Sequence, residues 1–184
     1  MYLYFVRHGQ TNDNLRNIVQ GRVDNPLNDT GRKQAYETGL KLKALNINFD
    51  KLYTSPLIRA KESGNIINSI LNIKDVKVID DLTEREFGSL EGLDVAYMRT
   101  LAKDPNFKPT GFETDEEIIK RVSSCVTNLT TTGSNILIVC HSHTIKAMMS
   151  YINKDKYNFD FLLLNAQVVK VKYENGIYEI EEII

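Results

Sequence analysis

Two histidines and two arginines carry the chemistry that this sequence offers. His8 lies in Arg7-His8-Gly9-Gln10-Thr11, directly after the apolar run Tyr2 to Val6, and His141 directly follows a second run, Asn135 to Cys140. Arg59 stands shortly after Ser55-Pro56. A neutral imidazole is a nucleophile, and guanidinium forks match the oxygens of a phosphoryl group. Four basic groups in one crevice repel one another unless an anion is bound, so their convergence points to phosphoryl chemistry. Taken singly, each has a plainer reading. His8 reads equally well as a satisfied structural imidazole, and Arg59 as a surface residue paired with Glu62. A zinc site built from His8, His141 and His143 competes for the same residues, but arginines beside three nitrogen ligands weaken cation binding. Neither a metal nor any other cofactor is therefore expected.

These residues meet only if particular elements bring them together. The two apolar runs are short, continuous and rich in β-formers, as in central strands buried on both faces. Open α/β sheets place ligands at the carboxyl ends of such strands, where His8 and His141 fall. Ala35, Thr38, Gly39, Leu42 and Leu45 follow a helical period between Thr30 and Leu45. A strand over Lys51 to Tyr53 should lead to a helix with Ser55 as N-cap and Pro56 in its first turn, which brings Arg59 to the same rim. Thr114 and Glu117 form a capping box ahead of the stripe Ile118, Val122, Cys125, Val126 and Leu129. Ser142 opens another helix, on which Met148 and Met149 read as core and rim, and Lys146 as a solvated charge or a phosphate ligand. Pro105 and Pro109 bracket a segment without periodicity, 104–111, read as a loop or lid. The stretch Gln167 to Tyr173, Asn175-Gly176 and Ile177 to Glu181 reads as a hairpin. Strands alternating with helices predict one three-layer α/β domain over residues 1–184, with a mixed, mostly parallel sheet flanked by helices.

Composition narrows the setting. The chain has 184 residues, 23 basic against 24 acidic side chains and a formal charge of −1, so no global field favours nucleic acid or a membrane surface. The longest apolar run, Met1 to Val6, is far below the roughly 20 residues of a membrane helix, and Arg7 follows that run where a signal peptide would have its charge ahead. Two cysteines make no disulfide framework. Cys125 and Cys140 read as buried thiols in a reducing cytosol, so a cytoplasmic protein is expected. A homodimer is compatible with the sequence.

The motifs resemble, in order, those of the histidine phosphatase superfamily, the phosphoglycerate mutase-like fold. Leu3 to Thr11 with Asn14 is similar to the family's opening signature, and Gly21 to Leu27 with Gly31 to the segment that follows. Tyr53-Thr54-Ser55-Pro56-Leu57-Ile58-Arg59-Ala60 resembles the second block, and Leu82 to Gly92 the third. Gly111-Phe112-Glu113-Thr114 with Arg121 resembles a degenerate later block, and Ile138-Val139-Cys140-His141-Ser142 the last histidine. The resemblance implies that His8 becomes phosphohistidine, that Arg7, Arg59 and His141 hold the phosphoryl oxygens, and that Thr11, Asn14 and Gly21 line the pocket. It implies Glu84 as proton donor, although by residue type alone Glu84 reads as an exposed charge. Ser142 stands where the family commonly has glycine, and Phe112 where a second glycine is frequent, which bears on substrate fit.

The activity implied is a metal-independent phosphomonoesterase acting on a small phosphorylated metabolite. Nearby Arg7 and Arg59 would keep His8 neutral, a backbone carbonyl would orient its ring, and a protonated His141 would add charge for the phosphate. Arg85 either meets a second anion on the substrate or pairs with Glu86 at the surface. A cofactor-dependent phosphoglycerate mutase is the first alternative, since Glu84-Arg85 is similar to the mutases' own pair. Against it, beyond the Arg85 of that pair only Arg99 and Arg121 lie between Glu84 and His141. A catalytically silent phosphate-binding regulator is the second alternative, and it would need the arginines but not His8 with Glu84.

Overall fold

The computed structural model describes residues 1–104, 106–131 and 133–184. In chain order its elements are β1 (Tyr2–Arg7), α1 (Asn12–Leu15), α2 (Asp29–Ala44), β2 (Lys51–Thr54), α3 (Ile58–Leu71), β3 (Asp75–Val78), α4 (Val95–Leu101), α5 (Asp115–Thr130), β4 (Ile136–Cys140), α6 (Ser142–Ile152), β5 (Val168–Glu174) and β6 (Ile177–Ile183). The six strands form one sheet in the order β3-β2-β4-β1-β5-β6. β1 to β4 are parallel, and β5 and β6 complete the sheet antiparallel. This is the mixed, mostly parallel α/β sheet that the alternating pattern predicts.

Strand alternation divides the core. Tyr4, Val6, Leu137 and Val139 pack with Ala35, Leu42 and Ile67 on the side of α2 and α3. Leu3, Phe5, Ile136 and Ile138 pack with Ile118, Val122, Ile145 and Met148 on the side of α5 and α6. The central strands are buried on both faces because each connection between parallel strands must cross the sheet through a helix. Register then sets the chemistry. Arg7 pairs with Cys140 and Thr54 with Val139, so the residues that follow three adjacent strands, His8, Ser55 and His141, stand side by side.

Several boundaries differ from expectation. α3 starts at Ile58 with Leu57 as its N-cap, whose own side chain makes no cap, and the Asp24 carboxylate accepts the Ile58 N–H at 2.6 Å instead. A residue before proline is disfavoured in the helical region, so Ser55 stays outside the helix, where its hydroxyl accepts the Leu57 N–H at 3.3 Å and also lies 2.7 Å from His141 Nε2. Gly31, not Leu45, completes the buried stripe of α2, and Leu45 is exposed beyond the helix end. β3 and α4 were not anticipated: β3 is a four-residue edge with Val76 and Val78 exposed, and α4 is a short helix capped by Asp94. The Thr114–Glu117 capping box and the Asn175-Gly176 hairpin form as read, the latter with φ of 52° and 82°, the mirror-image turn that matches strand twist. Pro105 lies outside the described residues. Among the described residues no helix is long and apolar enough to cross a membrane. Cys125 and Cys140 are buried and unpaired, and burial pushes both thiols up, Cys125 to about 11, so neither is a reactive thiolate.

Candidate active site

His8 is the first residue beyond β1, and its backbone N–H donates to the Cys140 carbonyl at 2.9 Å. Its ring Nδ1 lies 2.7 Å from the Gly9 carbonyl, and Arg59 Nε lies 3.2 Å from its Nε2. A carbonyl only accepts and a guanidinium N–H only donates, so Nδ1 carries the hydrogen and Nε2 the lone pair. The expected backbone anchor is therefore Gly9. Burial, more than Arg59 and Arg7, holds the His8 pKa well below its ordinary value, which corrects the ranking of causes that sequence implied.

His141 packs against His8 with ring centroids 5.2 Å apart, and its Nε2 lies 2.7 Å from Ser55 Oγ. Burial first, then the charges of Arg59 and Arg7 together with His8, lower its pKa well below the ordinary range. His141 is thus neutral at pH 7 in this structure, where a protonated ring was expected. Arg59 is 1 % exposed and donates to the carbonyls of Gly21 and Val23, each at 2.7 Å. It is no surface partner of Glu62, whose carboxylate instead takes the Leu27 N–H at 2.8 Å. Gly21 presents its carbonyl from a left-handed backbone (φ 51°), and a Cβ there would collide with the Glu91 carboxylate. Arg7 is anchored on the Leu163 carbonyl. Burial lowers its pKa to about 10, against the opposing pull of Glu84, so the charge is kept at pH 7.

Glu84 is 7 % exposed, which rules out the exposed-charge reading. Its carboxylate accepts from the backbone N–H groups of Arg85 (2.9 Å), His143 (3.1 Å) and Thr144 (3.3 Å), so the free donors at the start of α6 hold it in the cleft. Asn14 and Ser142 line the cleft beside it. Thr11 does not. It is fully buried, caps α1 through the Asn14 N–H and donates to Gln20 Oε1 at 2.8 Å. Arg85 is 3 % exposed and pairs with Asp115, while Glu86 pairs with Arg22 at 2.9 Å. Its guanidinium lies over the Phe159 ring at 4.1 Å and the Phe112 ring at 5.2 Å, so the surface pairing with Glu86 is not made.

The cleft has a volume of about 870 Å³. Arg7, His8, Arg59 and Glu84 line its polar end, and Leu90, Met98, Phe107, Phe112 and Phe159 contribute an apolar wall. The segment read as a lid does reach the cleft through Phe107, Lys108 and Pro109. Sequence reasoning missed three polar contributors: Ser55 against His141, Gln20 beneath Thr11, and Asn165, whose amide donates to the His8 carbonyl and to Asn14 Oδ1, each at 3.1 Å. Ser55 had a signal that was read as a helix cap. Asn165 had none, because only tertiary folding returns residues 153–167 to β1.

A buried nucleophilic nitrogen, two arginines and a carboxyl group facing one cleft suit attack on phosphorus. Comparison with known proteins agrees. The family model of the histidine phosphatase superfamily (branch 1) matches residues 3–183. The uncharacterized phosphatase PhoE of Bacillus subtilis is 39% identical over 180 residues, covering 96% of this chain and 91% of its own. A broad-specificity phosphatase of Saccharomyces cerevisiae is 26% identical over 182 residues, covering 93% and 79%. The crystal structure of a phosphoglycerate mutase from Bacillus anthracis shares the fold, with a TM-score of 0.88 at 24% identity, covering 98% of this chain and 91% of that one. The chain belongs to the histidine phosphatase superfamily. It is a phosphatase of that superfamily, built on the phosphoglycerate mutase-like fold.

Proposed function

We propose that the protein hydrolyses a small phosphorylated metabolite through a phosphohistidine on His8, without a metal ion, in the cytoplasm. The observation that carries this reading is the His8 ring itself: Nδ1–H is bound to the Gly9 carbonyl, and the Nε2 lone pair faces the Arg59 guanidinium. In the first step Nε2 attacks phosphorus while the bond to the leaving oxygen breaks. Arg7, Arg59, His141 and Asn14 hold the three non-bridging oxygens, and Glu84, in its protonated form, gives its proton to the leaving oxygen. In the second step the Glu84 carboxylate takes a proton from water as that water attacks phospho-His8. Phosphate leaves, and His8 and the Glu84 acid are restored. Phosphate binding supplies the negative charge that favours protonation of His141 during turnover.

The mutase alternative is disfavoured by where its two available arginines lie. Arg121 is bound to both oxygens of Glu113 at 2.8 Å and to the carbonyls of Asp81 and Thr83, which leaves Arg99 as the one that reaches the cleft. The test combines trapping of acid-labile phosphate on the protein with turnover in EDTA and in vanadate. Phosphoenzyme should form on the wild type and not on His8→Ala, turnover should persist in EDTA, and vanadate should inhibit. Loss of activity in EDTA that zinc restores would support metal chemistry instead. With 3-phosphoglycerate, isomerisation faster than phosphate release would favour the mutase.

A further inference from the structure

The proposed chemistry uses the phosphoryl end of the cleft and leaves other cations along it without a task. Ser142, His143 and Lys146 line the cleft from one face of α6. Lys146 is 8 % exposed, and its Nζ donates to the Phe159 carbonyl at 2.9 Å, which leaves two N–H donors on the ammonium. Among the described residues no carboxylate forms an ion pair with it. Burial, then the charge of Arg7, lower its pKa to about 8 against the opposing pull of Glu84 and Asp160, so it is still mostly protonated at pH 7. A buried ammonium with no carboxylate in direct contact is costly. This solvated-charge candidate of the sequence is therefore a desolvated charge facing a cavity.

The charge balance of the cleft points the same way. Arg85 is offset by Asp115, and a bound phosphate dianion offsets Arg7 and Arg59. The lining then still holds Lys146, Arg99 and Lys108 against Asp160 and Glu84, and Glu84 is neutral when it serves as the acid. A cationic surplus thus remains after the phosphate is seated. Beside it stands the apolar wall of Phe87, Phe112 and Phe159, with Met98 and Leu90. A single ammonium with two free donors is a compact point charge and suits a carboxylate, whereas a second phosphate is the better match for paired guanidinium forks.

Resting on the phosphomonoesterase reading, we propose that Lys146, seconded by Arg99, forms a second anion-binding subsite, and that the substrate is a phosphomonoester with an apolar body and a carboxylate. The test compares benzyl phosphate with 4-carboxybenzyl phosphate, whose leaving alcohols are alike. For the wild type, kcat/KM should favour the carboxylated ester by about tenfold or more, the worth of one charge-assisted hydrogen bond. Lys146→Gln should collapse that preference through KM, and Lys146→Arg should restore much of it. If Lys146→Gln does not fold, Arg99→Gln on the exposed side of α4 should still reduce the preference, and added salt should reduce it in the wild type. Equal use of the two esters by the wild type, or an unchanged preference in folded Lys146→Gln, would overturn the subsite while leaving the phosphatase intact. Hydrolysis of neither ester nor of any other phosphomonoester would instead remove the reading on which it rests.

Discussion

Because an alkyl alkoxide is too basic to depart unaided while nitrophenolate leaves as the anion, the demand on Glu84 depends on the leaving group. Glu84→Gln should slow formation of phospho-His8 by roughly 10²- to 10⁴-fold with alkyl phosphates and far less with nitrophenyl phosphate. The same variant should accumulate phosphoenzyme from the aryl ester and show a burst of nitrophenol, since the carboxylate that activates water is gone. Equal first-step losses for both ester types, seen in rapid-quench experiments, would take the proton donor role away from Glu84. His8→Ala should abolish turnover and leave a folded protein, because the ring sits at the cleft and not within either large core cluster. A tenth of wild-type activity surviving in that variant would exclude the phosphohistidine route.

At the scale of elements, the placement of His8 depends on how closely the turn after β1 meets the start of α2. Gly9 and Gly31 face each other so tightly that a Cβ on Gly31 would overlap the backbone of Gln10, and one on Gly9 would overlap Gly31 itself. Helix propensity alone favours alanine over glycine by about 1 kcal/mol, yet Gly31→Ala should lower the melting temperature and kcat together, because the displaced backbone carries the His8 anchor. A rise in melting temperature with kcat unchanged would show that the contact is softer than the structure has it. The sequence made the central strands legible because continuous apolar runs are what two-sided burial demands, and Arg7, His8 and His141 came with them. Ser55 was misread because a serine before proline satisfies the local signature of a helix cap while its hydroxyl answers to His141, 86 residues away. β3 is short and edge-exposed, and α4 buries no residue fully, so neither carries the periodicity on which such reading relies. Lys146 and Glu84 were ambiguous for one reason: the burial that sets their chemistry comes from α6 packing over the cleft and not from their neighbours in sequence.

For the whole molecule, all three histidines are held in the neutral form mainly by burial, with pKa values well below the ordinary 6.5. Below pH 6.5 the unfolded chain takes up protons that the folded one refuses, so stability falls as pH drops through that region and is retained above it. Thermal unfolding followed from pH 7.5 to 5.5 should show this loss before most carboxylates titrate, and His8→Ala should show a shallower one. Phosphate or vanadate should raise the melting temperature by binding the folded state alone. A melting temperature independent of pH across that window would mean that the histidines are not held neutral.

The position of β1 in the sheet bears on how the protein is made. Leu3 pairs with Ile136 on one side and with Val171 on the other, so the strand that leads to Arg7 and His8 has no sheet partner until residues far along the chain are available. During synthesis its apolar segment must wait, while α2, β2 and α3 are already present but cannot close a core around it. Pairings this distant in sequence imply slow folding and a long interval in which an uncovered strand can join another chain. Nascent chains stalled before β4 should therefore have neither the phosphoryl pocket nor a protected β1, and the phosphatase site and the folded state should emerge at the same moment.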